Sequence, residues 1–411
     1  MSASSIHCGS FFLSPGQLLA SSFGKVGWPS GWPYQLDLST LTHRGREAVW
    51  RALSALRLNR GDHVLVPSYH CGSEVDVLVK AGLKIELYQV DERGAVIEED
   101  LLSRLGPDVR MIYITHMFGW PQSISHVRKA ARELGCLILE DCALSLFSFD
   151  GDSPIGSNAD AAVFSFPKSL AVPDGGALVL SRPFASDVGQ LRNAPRSRVL
   201  RRTLGLLRSY FESTRWGHAI LPKRHRKKKT TSVVANVEKT TLEQRPDIPS
   251  KYYFDSATAD CGISRISQRI LSKIDPQEIF RRRRQNYLWM VENLAGIQGI
   301  EIWNHELKEG VCPLVMPILV KNSLDVATYL EEKGVSCSAW WWGFHRGFDY
   351  NGYEMAVRLK SSVVALPIHQ DLVLSDLEYV VGTIRDYFKQ KSSLKGKPTH
   401  QALDPQDPGS D

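Results

Sequence analysis

The chain has 411 residues, more than usually fold around a single hydrophobic core, so we expect two domains. The hydrophobic fraction of 43% is enough to fill both cores, and the length excludes a small binding module. No run of 18 apolar residues occurs, and no basic leader precedes the apolar N-terminal stretch, so we expect a soluble, unprocessed protein. Seven scattered cysteines without a CxxC pair argue against a disulfide framework and against a zinc site, and favour the reducing cytoplasm.

The net charge of +6 comes from one segment of the chain. Residues 191–229 contain 13 Arg or Lys against one Glu, a local charge of +12, so the rest of the chain carries −6. This distribution argues against a global affinity for nucleic acid, and no surface of stacked aromatic residues is evident.

The predicted elements begin after an N-terminal arm at residues 1–40, with a helix at residues 45–58. Residues 63–180 then alternate short aliphatic runs with helical patterns. The predicted strands are HVLVP, KIELYQV, RMIYITH, CLILED, AAVFSF and GALVL. Two helices are predicted between them, one that ends at Ala81 and one at residues 123–134. Since these runs lack strict alternation, we expect an α/β domain at residues 41–275, with a mostly parallel sheet buried on both faces and a basic insertion at 191–250.

A second, smaller αβ domain is predicted at residues 276–390. Its elements are a helix at 279–294, the strand MPILV, a helix at 324–333, a strand at 335–341 and a helix at 375–388. The tail at residues 391–411 lacks aromatic anchors, and we expect it to be disordered.

Asp141 closes the buried strand CLILED, at the edge where parallel sheets bind their ligands. Beside a pyridine nitrogen, its carboxylate would raise the pKa of that nitrogen by ~1 to 3 units and keep the ring protonated as an electron sink. The alternative is that Glu140 and Asp141 cap a helix or pair with surface bases.

Lys168 lies between an apolar strand and a Gly pair, in the stretch FSFPKSLAVPDGG. A lysine that forms a Schiff base needs a partly desolvated pocket, and a loop between two buried strands can provide one. A solvated surface charge is the alternative.

A phosphate cradle is predicted where glycines open two helices. Gly45-Arg46 opens one, and Cys71-Gly72-Ser73 opens another directly after a strand, so exposed amides can face one anion. Arg46 and the hydroxyls of Ser73 and Ser165 would add charge-assisted hydrogen bonds.

Several aromatic and histidine side chains have two interpretations. His116 and Phe118 follow the strand RMIYITH and would flank a bound cofactor, although a buried histidine satisfied by backbone is the simpler reading. Trp340, Trp341, Trp342 and His345 would stack on a sugar or base, or pack in a core or a dimer interface.

Taken together, these stretches resemble the DegT/DnrJ/EryC1/StrS family of sugar aminotransferases. The resemblance is carried by GREAVWRALSALRLNRGDHVLVPSYHCGSEVDVLVKAGL, ITHMFGWPQSI, LILEDCA, IGSNADAAVFSF and PDGG, and more loosely by RRRRQNYLWMVENL and ALPIHQDLVLSDLEYVV.

The resemblance implies a fold-type-I, aspartate-aminotransferase-like large domain, pyridoxal phosphate as cofactor, and a homodimer with glutamate and a nucleotide-linked keto-sugar as substrates. Lys168 falls at the Schiff-base position, Asp141 at the carboxylate that meets the ring nitrogen, and Ser165 at a phosphate-binding hydroxyl. The turns Gly45-Arg46 and Gly72-Ser73 would surround the phosphate, and no metal is expected.

The chain departs from the family pattern at three places. Only two residues separate Ser165 from Lys168, where about four are usual. Leu144 stands where Gln or His is usual, and Ile263 replaces an Asn that would reach the partner's site, while Arg265 is retained. Leu144 and the lost Asn support one alternative function, a non-catalytic regulator or scaffold. A second alternative is a dehydratase that uses the same cofactor, although the retained Lys168 favours transamination.

The basic segment is predicted to form an amphipathic helix at residues 199–216. One reading of residues 199–229 is peripheral contact with the inner face of a membrane, which suits an enzyme of polysaccharide or glycoconjugate biosynthesis. The other is an exposed lid or loop that attracts a nucleotide diphosphate.

Overall fold

A computed structural model of the chain describes residues 11–22, 39–181, 184, 189–213 and 245–395. The strands of its first part in chain order are β1 (Ser39–Thr42), β2 (His63–Pro67), β3 (Lys84–Tyr88), β4 (Val109–Thr115), β5 (Leu137–Asp141), β6 (Phe149–Asp150), β7 (Ser153–Pro154), β8 (Ala161–Ser165) and β9 (Gly176–Leu180). Six of these strands match the predicted ones. The short edge strand β1 and the hairpin β6–β7 were not predicted.

Seven strands form the central sheet, in the order β1-β9-β8-β5-β4-β2-β3. Strands β2, β3, β4, β5 and β8 are parallel to their neighbours in this set, whereas β9 runs antiparallel to both β8 and β1. The prediction of an α/β fold with a mostly parallel sheet is confirmed.

Helices cover both faces of this sheet. Helix α1 (Pro15–Ser22) packs against residues 265–271, and the covering helices are α2 (Gly45–Ala55), α3 (Val75–Lys80), α4 (Glu98–Arg104) and α5 (Ser125–Leu134). Val64 and Val66 of β2 pack into one hydrophobic cluster, while Leu65 between them packs into the other. Strands buried on both faces need apolar side chains at every position, which explains the unbroken aliphatic runs.

The basic insertion contains helix α6 (Arg196–Ser213), three residues earlier than the predicted start. Leu200 and Leu204 are 59% and 55% exposed on one face of it, and Arg201 is also exposed. Residues 214–229 of the predicted contact segment lie outside the described residues. Among the described helices, none has the length and apolar character needed to cross a membrane.

The second part of the chain folds around a four-stranded antiparallel sheet in the order β10-β11-β13-β12. Its elements are α7 (Arg265–Leu271), α8 (Pro276–Leu294), β10 (Glu301–Ile302), β11 (Met316–Leu319), α9 (Ser323–Glu332), β12 (Ser338–Ala339), α10 (Glu354–Ser362), β13 (Val363–Leu366) and α11 (Leu374–Lys395).

Three expectations for this part need correction. The strand predicted at 335–341 has only two residues, and α10 and β13 were not predicted. Helix α11 continues to Lys395, so the boundary of the predicted disordered tail falls inside a helix, and residues 396–411 lie outside the described chain. The division into domains at residue 276 stays a prediction.

Lys360 of α10 joins this second part to the central sheet. Its ammonium donates hydrogen bonds to the carbonyls of His70 (2.7 Å), Gly343 (2.9 Å) and Trp341 (3.2 Å), and it lies over the rings of Phe344 and Tyr350. Burial lowers the pKa of Lys360 to about 8. The side chain therefore provides the donors for three main-chain acceptors that surround it.

We expect Lys360→Met to lower the free energy of unfolding by about 3 kcal/mol, because it leaves three carbonyls without this donor in a buried environment. Urea unfolding of the variant and of the wild type measures the difference. Lys321→Met, at an exposed position, is the control and should stay within about 0.5 kcal/mol. A loss below about 1 kcal/mol for Lys360→Met would contradict the assigned role.

Candidate active site at the carboxyl ends of the parallel strands

Asp141, at the end of β5, is buried and held by two neutral donors. Its Oδ2 accepts from the hydroxyl of Tyr113 at 2.9 Å, and its Oδ1 accepts from the N–H of Ala143 at 2.9 Å. Burial, together with the nearby charge of Asp141, raises the pKa of Tyr113 well above its usual value, so the phenol keeps its proton and remains a donor. No ion pair involves Asp141 among the described residues, so the alternative of pairing with a surface base is wrong for this residue.

Lys168 ends a short turn, Phe166–Lys168, that follows β8 directly. Its side chain is exposed in the single chain, so the expected desolvated pocket is not formed by this chain alone. Burial raises the pKa of Cys71 to about 11, and the charge of Lys168 opposes that shift. The lysine therefore lies within electrostatic range of the turn that precedes α3.

The start of α2, the end of β8 and the start of β9 meet at one point. A Cβ atom built on Gly45 would lie 3.2 Å from Cβ and 3.6 Å from Oγ of Ser165. A Cβ on Gly176 would lie 2.5 Å from the carbonyl carbon of Arg44 and 2.6 Å from the nitrogen of Gly45. Gly45 and Ser165 are thus together, as the predicted cradle requires.

Asp174, in the PDGG turn, holds the neighbouring segments of this contact in place. Its buried carboxylate accepts hydrogen bonds from His43 Nδ1 (2.9 Å), from the N–H of Ser264 (2.9 Å) and from the hydroxyls of Ser264 and Ser267. The sequence analysis considered only the two glycines that follow. Asp174 links the residue before the α2 turn to the N-terminal cap of α7.

Arg46 has a different environment from the predicted one. Its Nη1 donates to the carbonyls of Tyr252 (2.7 Å), Tyr253 (3.0 Å) and Lys251 (3.2 Å). Through Nη1 the guanidinium group links residues 251–253 to α2, and a phosphate contact of Arg46 stays a prediction.

The second predicted arm of the cradle is occupied by the chain's own carboxylate. Glu74 accepts from the N–H of Cys71 at 2.8 Å through Oε1 and from the Ser73 hydroxyl at 3.2 Å through Oε2. Gly72 has φ of +92°, and a Cβ on it would lie 2.8 Å from Ile248. The Ser73 hydroxyl donates to Glu74 in this structure, and its bond to a phosphate stays a prediction.

Glu74 was missed by the sequence analysis, although its place three residues after Cys71 is the spacing of a capping box. Burial and the charge of Asp141 raise the pKa of Glu74, while the charge of Lys168 lowers it. The site therefore combines two buried carboxyl groups with one lysine.

His116 is buried, and hydrogen bonds engage both of its ring nitrogens. Nδ1 accepts from the N–H of Gln122 at 3.0 Å, so the neutral ring carries its proton on Nε2, which lies 3.1 Å from Glu140 Oε2. Burial opposes the shift, but the bonds from His116 and Arg128 lower the pKa of Glu140 to about 2. His116 is thus a buried histidine with both ring nitrogens hydrogen-bonded, and a contact between its ring and a cofactor stays a prediction. His116, Glu140 and Cys142 also place potential metal-ligand atoms within 4.8 Å of one another. The hydrogen bond between His116 and Glu140 explains why these two side chains are close.

Phe118 is fully buried against Trp303 (5.1 Å between ring centroids) and Trp340 (5.2 Å), which supports a core role for its ring. Trp340 and Trp341 are half-buried and pack against the same hydrophobic cluster. Trp341 lies 5.1 Å from the ring of Tyr69, and His345 Nε2 lies 3.1 Å from Asp76 Oδ1.

Two of the three departures from the family pattern, Leu144 and Ile263, lie at buried positions. Leu144 is 1% exposed and packs in the hydrophobic cluster that contains Phe118, so its side chain is a core residue. Ile263 is also buried, whereas Arg265 is exposed at the first position of α7.

Comparison with known proteins gives a family match for part of the chain. Residues 39–203 match the profile of the DegT/DnrJ/EryC1/StrS aminotransferase family. GDP-perosamine synthase of Vibrio cholerae is 26% identical over 144 residues, which is 34% of this chain and 39% of the relative. Protein MosB of Rhizobium meliloti is 29% identical over 182 residues, which is 42% of this chain and 35% of the relative. The chain thus spans less than two fifths of the length of these curated relatives.

Solved structures share the fold over nearly the whole chain. The aminotransferase TlmJ from Streptoalloteichus hindustanus has a TM-score of 0.63 and 17% identity, covering 94% of this chain and 100% of its own. The sugar aminotransferase CalS13 from Micromonospora echinospora has a TM-score of 0.59 and 18% identity, covering 92% of this chain and 99% of its own. At such identities the likeness shows the fold alone.

Replacing Glu74 by Gln should change how stability depends on pH. Because burial raises the pKa of Glu74 above 4.5, its contribution to stability is present below pH 4.5 and is lost as the pH rises through the folded-state pKa. The glutamine side chain does not ionise, so the variant escapes this loss. Its unfolding free energy, relative to that of the wild type, should therefore rise as the pH increases above 4.5, by about 1.4 kcal/mol in total per unit of pKa shift.

Urea unfolding between pH 4 and pH 8 measures this difference. Glu99→Gln, at an exposed position of α4, controls for the loss of one negative charge. A difference between wild type and Glu74→Gln that is constant over this range would show that Glu74 is not held in a desolvated site.

Proposed function

We propose that the chain, whose residues 39–203 match the profile of the DegT/DnrJ/EryC1/StrS aminotransferase family, is a pyridoxal-phosphate-dependent aminotransferase of that family. Its proposed reaction transfers an amino group from glutamate to a nucleotide-linked keto-sugar. The observation that carries this proposal is the convergence of Asp141, Ser165 and Lys168 at the ends of the neighbouring strands β5 and β8.

The residues present fit this cofactor at both of its ends. The Asp141 carboxylate is buried and oriented by two neutral donors, which leaves lone pairs for a protonated ring nitrogen. At the other end, the Gly45 amide and the Ser165 hydroxyl lie side by side at the start of an 11-residue helix, where an anion is favoured. The described part of the chain assigns no other task to the Ser165 hydroxyl.

Each residue then has one role. Pyridoxal phosphate, when bound, supplies an aldehyde for a Schiff base and an electron sink. Asp141 holds a proton on the ring nitrogen, and Tyr113 keeps that carboxylate in place. Ser165 and the first turn of α2 bind the phosphate, and Lys168 holds and moves a proton at Nζ.

The nucleotide-sugar substrate rests on the relatives. They include GDP-perosamine synthase and a UDP-N-acetyl-3-dehydro-alpha-D-glucosamine 3-aminotransferase from Acidithiobacillus ferrooxidans, the latter 29% identical over 139 residues. From these we infer a role in polysaccharide or glycoconjugate biosynthesis. A panel of nucleotide keto-sugars with glutamate as donor tests the substrate class.

A homodimer is part of the proposal. Lys168 and Arg265 are both exposed in the single chain, which supports a site that a second copy completes. We infer a cytoplasmic location from the cysteines, since no disulfide joins those of the described ranges. Sedimentation equilibrium tests the dimer.

Membrane contact through residues 199–229 stays a prediction, beside the alternative of a loop that attracts nucleotide diphosphates. Exposed Leu200 and Leu204, with Arg201 nearby on α6, support the membrane reading. Co-sedimentation with phosphatidylserine vesicles, with and without a nucleoside diphosphate, distinguishes the two.

The central test is Lys168→Ala. The wild type loaded with pyridoxal phosphate should show a visible or near-ultraviolet band that shifts on adding glutamate, and borohydride should fix the cofactor to Lys168. The variant should lack the band and the adduct and lose roughly 10³-fold in transamination rate, because it has no amine to move the proton.

Lys129→Ala, an exposed lysine of α5, is the control and should behave as the wild type. A variant without Lys168 that kept the band and the adduct would place the reacting amine elsewhere.

A further inference from the structure

Arg283 of α8 is a buried cation whose hydrogen bonds all go to neutral oxygens. It is 1% exposed. Its Nη1 donates to the carbonyls of Leu314 (2.8 Å) and Pro313 (3.1 Å), and its Nη2 donates to the carbonyl of Ser169 at 2.9 Å. Ser169 directly follows Lys168 in the chain.

Arg283 is one of four consecutive arginines, and the others are directed elsewhere. Arg281 pairs with Glu278 on the helix surface, at 2.6 Å. Arg282 donates to the carbonyls of Leu372 and Gln370, and Arg284 to those of Lys308 and Val311. Within the described residues, Arg283 alone of the four reaches the turn that carries Lys168.

Gln370 reinforces the same contact. Its Oε1 accepts from Arg283 Nε at 3.0 Å, and its Nε2 donates to the Ser169 carbonyl at 3.4 Å. Two side chains from the second part of the protein therefore bind one carbonyl of the Lys168 turn. The planar guanidinium fork fixes the direction of its bonds, which a flexible ammonium does not.

The Lys168 turn has few other anchors. The N–H groups of Ser169 and Leu170 both donate to the carbonyl of Phe166, which closes the turn on itself. The Lys168 side chain is exposed, so packing does not hold it in place. The start of the turn is held by the bond from the Phe166 N–H to the Gly175 carbonyl (3.1 Å), and its other end by the Ser169 carbonyl and the buried side chains of Phe166 and Leu170.

We propose that Arg283, together with Gln370, is a positioning residue for Lys168, holding the turn through the Ser169 carbonyl so that the amine faces the candidate site. The inference rests on the proposed function only for the role of Lys168 as the reacting amine. The second part of the protein thereby contributes to the reaction without supplying a catalytic residue.

The experiment compares Arg283→Met, Gln370→Leu and the control Arg284→Met, which also removes bonds to carbonyls but none to the Lys168 turn. Hydrogen exchange of the Ser169 and Leu170 amides is measured in the cofactor-free proteins. The rate at which borohydride traps pyridoxal phosphate on Lys168 is then compared with the affinity for pyridoxamine phosphate, which cannot link to a lysine.

We expect Arg283→Met and Gln370→Leu to exchange these two amides about tenfold faster, because the turn loses its outer anchor. Trapping should slow about tenfold, with pyridoxamine phosphate affinity within about twofold of the wild type, because binding is retained and only orientation is lost. Arg284→Met should change neither quantity.

Unchanged exchange and trapping in Gln370→Leu and in folded Arg283→Met would overturn the proposal, as would equal effects in Arg284→Met. If Arg283→Met fails to fold, Gln370→Leu decides. Failure of the proposed function appears differently: the wild type itself then forms no trapped adduct, while the exchange rates still report whether Arg283 holds the turn.

Discussion

The contact between Gly176 and the Arg44-Gly45 peptide is the constraint on which the candidate site depends. The start of α2 meets there the end of β8 and the start of β9, which come much later in the chain, and the absence of a side chain at Gly176 allows the main chains to touch. A methyl group at this position would lie 2.5 Å from a backbone carbon, and backbone cannot rotate away as a side chain can. Asp174 then locks the arrangement through His43 and Ser264.

The order of the strands places the chemistry beside this contact. Strand β5 ends at Asp141 and its neighbour β8 ends at Ser165, so a carboxylate and a hydroxyl lie at the same edge of the sheet. Parallel strands gather their carboxyl ends in this way, which is why ligands bind there in open α/β sheets. The antiparallel return of β9 brings the Gly pair back against the start of α2.

Much of the central sheet could be predicted from the sequence because its strands are buried on both faces. Residues such as Val64, Leu65 and Val66 must all be apolar, and an unbroken aliphatic run is a strong signal. Strand β1 gave no such signal, since it is a four-residue edge strand with the sequence STLT. Helix α10 (EMAVRLKSS) runs directly into strand β13 (VVAL) with no Gly or Pro between them, so no turn signal marks the boundary.

The candidate site could be predicted only where a residue's neighbours in sequence decide its role. Asp141 and Ser165 end buried strands, which a periodicity argument finds. Glu74 and Arg46 are oriented by hydrogen bonds, and the partners of Arg46 are about 205 residues distant in the chain. No local pattern reports that Arg46 turns toward residues 251–253, whereas the capping-box spacing of Cys71 and Glu74 is a local signal that was overlooked. The exposure of Lys168 likewise depends on what surrounds the turn in space.

Cations bound to main-chain carbonyls recur in this protein, at half-buried Arg46 and at buried Arg283 and Lys360. A carbonyl is present at a position whatever amino acid the gene encodes there, unlike the carboxylate of an ion pair. A point mutation can therefore remove each of these hydrogen bonds only by replacing the basic residue that donates it. A substitution at residue 70, 169 or 252 keeps the carbonyl that accepts the hydrogen bond. A substitution at Arg46, Arg283 or Lys360 removes the donor.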